Sequence, residues 1–414
     1  MSRLDRRVGI EKLRVYPCSL SLDMLELCEA RQHDVTEIKE TMMVDERSVN
    51  PLYEDPITMA VNAARPMLTA EELDSIELLI VGSESGVDQE KSISTWVHRY
   101  LGLKSNCRNF EIKHACYGGT AGLSMAVSWI LSGLDGDARA LVITTDQSRM
   151  HLGMAHEFVL GGCGAAAALV SSRPRLLELE PGKNGYWTNE VSDVTRPTSR
   201  VETGNSDTSL LSYLDGLHGA YTHYVERAGG SIDFDTYFKK NVYHVPFGGI
   251  TFLAHRELLR RDREMSKLDA RRDFDRKAAP ALHHTRRMGS TYTSSIFAAM
   301  LGLIDSAPDL EPGDRVGIFS YGSGACAEFY SGLVCPEAWE VAASANLGGL
   351  LDLRRRISVG EYETIERQRT EWIDQGDYDP LADGYDEWYL HHYAGQGYLT
   401  FRGMRDYVRQ YAWT

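Results

Sequence analysis

The sequence predicts an α/β protein whose two halves share one plan, and three observations predict it. Short apolar runs read as strands, and they alternate with longer segments of helical period. Two segments, around 121–131 and 292–305, are apolar nearly all round, which a helix tolerates only when covered on most sides. The order of parts also occurs twice. A small-residue turn and apolar helix (GTAGLSMAVSWIL, GSTYTSSIFAAMLGLI) lead to a Gly/Asp turn, LDGDAR at 134–139 and LEPGDR at 310–315. An apolar strand follows, ALVITTD at 140–146 and VGIFSYGSG at 316–324, and then a small-residue strand, GGCGAAAALV and GSGACAEFYSG. The expected division is 1–180 and 181–414, with two-fold-related sheets around the two helices.

Val8 to Tyr16 reads as the first strand, Asp23 to Arg31 as a short helix, and Asp55 to Met67 as a longer one with Ile57, Val61 and Ala64 at helical spacing. Ile76 to Val81 is a continuous apolar run and so a buried strand. It ends in Gly82-Ser83-Glu84-Ser85-Gly86, which puts Glu84 at the carboxyl end of a core strand, where α/β proteins keep their chemistry. Phe110 to Lys113 is a short strand running into Cys116 at the head of the first apolar helix. There the unpaired N–H groups and the helix dipole favour a thiolate, the nucleophilic form. Gly118 and Gly119 leave room for a substrate against the backbone.

Ala138–Thr145, 161–172 and Leu176–Glu180 are further strands. Residues 181–207 are polar and aperiodic, a surface excursion, and Ser209 to Glu226 is an amphipathic helix. A short strand then delivers His244 into Pro246-Phe247-Gly248-Gly249. Residues 255–277 form a charged helical stretch in which basic residues outnumber acidic ones; it is either a solvated face of i,i+4 pairs or a docking patch for an acidic partner. The tail carries a helix from Tyr362 to Gln375 and an aromatic, strand-like run from Tyr398 to Trp413 that packs on the body.

Composition excludes several function classes. The net charge of −15 argues against non-specific nucleic-acid binding. No segment is long and apolar enough to span a bilayer, and the first residues lack the apolar run of a secretory signal. The seven cysteines are odd in number and scattered without CxxC spacing, which argues for reduced thiols in a cytoplasm, and against a disulfide framework or a structural metal.

At HACYGGTAGL the chain resembles the 3-hydroxy-3-methylglutaryl synthase family of the thiolase superfamily. VGSESGVDQEKS (81–92), YHVPFGG (243–249), GSTYTSS (289–295) and GDRVGIFSYGSG (313–324) match in the family's order and spacing, over nearly the whole chain. VGIEKLRVY and RDYVRQYAWT look most like the branch that installs β-methyl branches in polyketide clusters. The resemblance implies a thiolase-like fold in five layers, αβαβα, and a homodimer. It implies that Cys116 is acetylated, that Glu84 as general base takes a proton from the acetyl methyl group, and that His244 polarises the acceptor carbonyl. It places an oxyanion hole at the N–H groups of Cys116 and of Ser323 in the Gly322-Ser323 turn. It implies no bound cofactor, with both acyl groups carried on the phosphopantetheine of donor and acceptor acyl carrier proteins. Carriers are acidic, so Arg31, Arg256 and Arg260 are the candidates to receive them. The mevalonate-pathway synthase, which uses coenzyme A, is the alternative within this chemistry; a decarboxylating ketosynthase III-like enzyme and a non-catalytic thiolase-fold subunit lie outside it. One residue departs from the family: Ser290 stands where Asn is common, replacing a fixed amide donor by a shorter, rotating hydroxyl.

Overall fold

The strands that build the site pair into one continuous sheet. The structure, a computed structural model, describes residues 7–134, 136–149, 152–154 and 156–414. Its main strands are β1 (Gly9–Tyr16), β2 (Ile76–Gly82), β3 (Arg108–Ile112), β4 (Arg139–Gln147), β5 (Cys163–Ser171), β6 (Leu177–Leu179), β7 (Gly185–Thr188), β8 (Lys240–Tyr243), β9 (Arg315–Gly322) and β10 (Cys326–Val334). They form a ten-stranded sheet in the order β8-β9-β10-β6-β1-β5-β4-β2-β3, with β7 added to β10. Position 135, within the turn read at 134–139, lies outside the described residues.

The two halves repeat one pairing scheme. β2 is parallel to β4, β4 antiparallel to β5, and β5 antiparallel to β1. In the second half β8 is parallel to β9, β9 antiparallel to β10, and β10 antiparallel to β6. Where two separate sheets were expected, the three-residue β6 also pairs with β1 through Gly9–Glu178 and Ile10–Leu177, and so welds them together. A strand this short gives no periodic signal of pairing on both edges.

Helices α1 (Met24–Ala30), α2 (Pro56–Ala64), α3 (Gly118–Ser132), α4 (Ser206–Arg227), α5 (Gly248–Asp262), α6 (Lys267–Lys277), α7 (Ser295–Ser306) and α8 (Val359–Glu371) cover it. α7 is buried from Ser295 to Ile304. α3 differs from the expectation: it buries Leu123, Ala126 and Val127 against the same core as α7, yet leaves Met125 49% exposed. The charged stretch 255–277 is not one helix either. It breaks at 263–266, where Arg263 is extended and the Ser266 side chain caps α6 by accepting from the Asp269 N–H. The run Tyr398–Trp413 folds back as a hairpin, β11 (Leu399–Arg405) and β12 (Val408–Trp413), reversing at Asp406-Tyr407. Its Arg409 and Tyr411 both donate to Asp55, the residue that caps α2.

The end of β2 and the start of α3 meet backbone to backbone. A Cβ on Gly82 would lie 2.6 Å from the Gly118 carbonyl carbon and 2.7 Å from the Gly119 nitrogen. Glycine at 82 is therefore what lets the Glu84 loop and the Cys116 turn share one spot. Gly82→Ala should lower unfolding stability by about 1–3 kcal/mol, the usual cost of overpacking a rigid contact; urea unfolding monitored by circular dichroism will show this.

Candidate active site

Cys116 occupies a tight turn between β3 and α3. The turn is built by Ala115 in the left-handed region (φ 42°) and by Tyr117 N–H donating to the His114 carbonyl at 3.1 Å. Its Sγ donates to Glu84 Oε2 at 3.2 Å. The nucleophile and base candidates thus touch, although they are 32 residues apart in sequence. Their ionisation differs from the sequence expectation. Cys116 is at a helix start, yet burial and the Glu84 carboxylate push its thiol well above the ordinary range. A helix N-terminus offers up to about 2 kcal/mol, whereas desolvation moves buried groups by as much as about 3–5 units at about 1.4 kcal/mol each. The resting group is a neutral thiol hydrogen-bonded to a carboxyl.

Glu84 is pushed up to about 8 by burial and by Asp146, against the pull of Arg196 and the Cys116 hydrogen bond. It is poised near neutral pH, as a general base should be. Its loop is held by Asp146, at the end of β4. This fully buried carboxylate accepts from Glu84 N–H at 2.9 Å, Ser85 Oγ at 2.9 Å and Ser83 Oγ at 3.1 Å. From the other half it accepts the Thr293 N–H at 3.1 Å and the Thr293 hydroxyl. From 181–207, Arg196 donates to the Glu84 carbonyl at 2.8 Å and pairs with Glu202. The same stretch runs over the surface at Tyr186, Trp187 and Val201, but it also buries Asp193, which accepts from Tyr321 at 2.8 Å and from Gly324 N–H at 3.0 Å.

His244 lies one residue past β8, as Glu84 lies two past β2, so the two occupy equivalent strand ends of the repeated scheme. The imidazole is 2% exposed, and burial depresses it to about 3, so it is neutral. Ser295 Oγ lies 2.9 Å from Nδ1 and accepts the Val245 N–H at 3.4 Å. When the Ser295 hydroxyl donates to Nδ1, the imidazole proton is on Nε2. Tyr213 donates to the His244 carbonyl at 2.9 Å and fixes the strand end.

Gly322 presses against the nucleophile turn: a Cβ there would sit 2.6 Å from the Tyr117 nitrogen. The Gly322-Ser323 turn is accordingly beside Cys116. Ser290 is 3% exposed, with its carbonyl against Gly162 of the β4–β5 connection. The basic candidates pair with acids outside this cluster. Arg31 is clamped by Glu157 at 2.8 Å and Glu363 at 2.7 Å. Arg256 pairs with Glu257 at 3.3 Å; Arg260, 3.9 Å from the same Glu257, is 54% exposed. Among the described residues, no His, Cys, Asp and Glu side chains cluster as a metal site, and no helix is long and apolar enough to cross a membrane.

Sequence reasoning missed Asp146, Arg196, Asp193 and Ser295. Asp146 carried the signal that marked Glu84, a charged residue ending an apolar strand. Arg196 and Asp193 lie in a stretch without periodicity and carried none.

A thiolase-like fold with a Cys–Glu pair at one strand end and a neutral His at its counterpart defines the class: a carbon–carbon bond-forming acyltransferase. The chain belongs to the hydroxymethylglutaryl-coenzyme A synthase family, whose N-terminal domain matches residues 4–174 and C-terminal domain residues 253–394. It is 40% identical to the polyketide biosynthesis 3-hydroxy-3-methylglutaryl-ACP synthase PksG of Bacillus subtilis over 369 residues, 86% of this chain and 87% of that one. It is 33% identical to the hydroxymethylglutaryl-CoA synthase of Enterococcus faecalis, over 86% of this chain and 91% of that one. Among solved structures, the curacin biosynthetic pathway HMG synthase in complex with holo donor-ACP superposes with a TM-score of 0.91 at 37% identity, over 99% of this chain and 100% of that one.

The rate at which Cys116 reacts with a thiol-directed acyl or alkyl reagent should rise with pH through about 8, as Glu84 loses its proton. Arg196→Gln removes a cation that lowers Glu84 and leaves Glu202, which raises it, so the inflection should move to higher pH.

Proposed function

We propose that the chain is a polyketide β-branching synthase that condenses an acetyl group, delivered by an acyl carrier protein, with the β-keto carbon of a carrier-bound acyl chain. The observation that carries the reading is the 3.2 Å contact between the Cys116 thiol and the Glu84 carboxyl. A decarboxylating condensation needs no base beside its nucleophile; removing a proton from an acetyl methyl group does. The similarity to PksG and to the curacin synthase supports the carrier-borne substrate.

Glu84 in its carboxylate form takes the Cys116 proton, and the sulfur attacks the acetyl thioester. The proton passes to the departing phosphopantetheine thiol. Regenerated Glu84 then takes a proton from the acetyl-Cys116 methyl group, and the enolate attacks the acceptor's β-carbon. A neutral His244 donates from Nε2 to the carbonyl oxygen that becomes the alkoxide, a hydrogen bond that strengthens as charge develops. The N–H groups of Cys116 and Ser323 receive the thioester oxygen, and Ser290 lines the acceptor side. Water finally releases a 3-hydroxy-3-methylglutaryl-type product.

Arg31, Arg256 and Arg260 are proposed to meet the acidic carrier. Arg260 is the most available of the three, since Arg31 must trade a carboxylate of Glu157 or Glu363 for one of the partner. The exposed Met125 of α3 supports a homodimer, which burying it against a second copy would stabilise.

Purified protein should show the acetyl mass increment on Cys116 faster from acetyl-carrier than from acetyl-coenzyme A. Acetylation from coenzyme A alone would point to the mevalonate-type activity instead. Glu84→Gln should acetylate slowly and without the pH inflection near 8, and condensation from the acetyl-enzyme should be slowed about 10²–10⁴-fold. His244→Ala should likewise keep the acetyl-Cys116 intermediate and lose turnover with the acceptor.

A further inference from the structure

Behind the site lie two thiols that the chemistry above does not use. Cys18, in the link after β1, and Cys163, the first residue of β5, place their Sγ atoms 3.0 Å apart. The Met59 thioether of α2 is 3.2 Å from Cys18 Sγ and, having no proton, can only accept from it. All three side chains are buried, with Cys18 3% and Cys163 1% exposed. Cys18 is held with φ at 60°, a left-handed conformation that a side chain other than glycine, Asn or Asp rarely adopts. The two residues are 145 apart in sequence, so no spacing motif could have paired them.

We propose that Cys18 and Cys163 are a modification site, a dithiol that peroxide converts into a disulfide across the back of the active site. The sulfurs need to close by about 1 Å to reach the ~2.05 Å of an S–S bond. One sulfur attacks a peroxide oxygen; the O–O bond breaks, giving a sulfenic acid and water. The second sulfur attacks the sulfenic sulfur; the S–O bond breaks, and a second water leaves with the remaining thiol proton. The dithiol is oxidised by two electrons and the peroxide reduced by two. A small neutral oxidant suits the site because burial hinders larger disulfide reagents.

The position gives the bond consequence. Cys163 pairs with Gln147 in the β4–β5 ladder, and the next pair joins Gly164 to Asp146. On its other side, Gly162 packs on the Ser290 carbonyl, which a Cβ would approach to 2.3 Å. Oxidation therefore ties the β1 exit to the strand that backs both Asp146 and Ser290.

The test is hydrogen peroxide treatment of the folded Cys116→Ser variant, which removes the competing nucleophile. Denaturation, alkylation of free thiols and peptide mass mapping follow. The expected result is loss of two hydrogens, a linked peptide containing Cys18 and Cys163, and recovery of both alkylatable thiols after dithiothreitol. Adding Cys18→Gly, which suits the left-handed backbone, should abolish the link while the protein still folds. Recovery of both residues as free thiols after peroxide, or as sulfinic acids without a link, would overturn the proposal.

Discussion

A single buried carboxylate, Asp146, holds the two halves of the site in register. It takes hydrogen bonds from three consecutive residues of the Glu84 loop and two from Thr293, in the turn that heads α7. A buried charge is tolerable only when its acceptor capacity is filled, and here it is filled from both repeats. The Glu84 loop and the turn that heads α7 are consequently both tied to one strand, β4. The same charge, close to Glu84, helps keep that carboxyl from ionising early. Structure and acid–base behaviour thus share one cause.

Much of this was legible in the sequence, for definable reasons. Glu84, Cys116 and His244 each stand at the end of an apolar strand beside glycine or small residues, so strand ends and turns mark them. The paired apolar helices and their flanking strands disclosed the repeat. Three kinds of information were not there. Arg196 and Asp193 reach the site from an aperiodic stretch whose destination only tertiary contacts define. The protonation of Cys116 follows from desolvation, a property of the assembled pocket, and the local helix start pointed the other way. The pairing of β6 with both β1 and β10 depends on a three-residue strand with too few side chains to show a pattern.

The charge distribution shows a similar gap between composition and structure. Most of the basic residues of 256–277 are spent locally. Arg263, Arg276 and Lys277 converge on Asp235, and Arg271 and Arg272 pair with acids of their own helix. The pairs among these that are exposed on both sides, those of Arg271 and Arg272, contribute little to stability. They do lower the positive potential that the run of arginines suggests, so a partner would meet a patterned surface more than a uniformly basic one.

The equivalence of the Glu84 and His244 positions has a consequence for how such a site can arise. Two identical subunits related by a two-fold axis must present the same residue at both equivalent addresses: two carboxylates or two imidazoles. Joining the copies in one chain releases that constraint. Each address can then change alone, one holding a carboxyl poised near neutral pH and the other an imidazole that burial keeps uncharged. The covalent linkage between repeats is, in this sense, what permits a symmetric scaffold to run an asymmetric reaction.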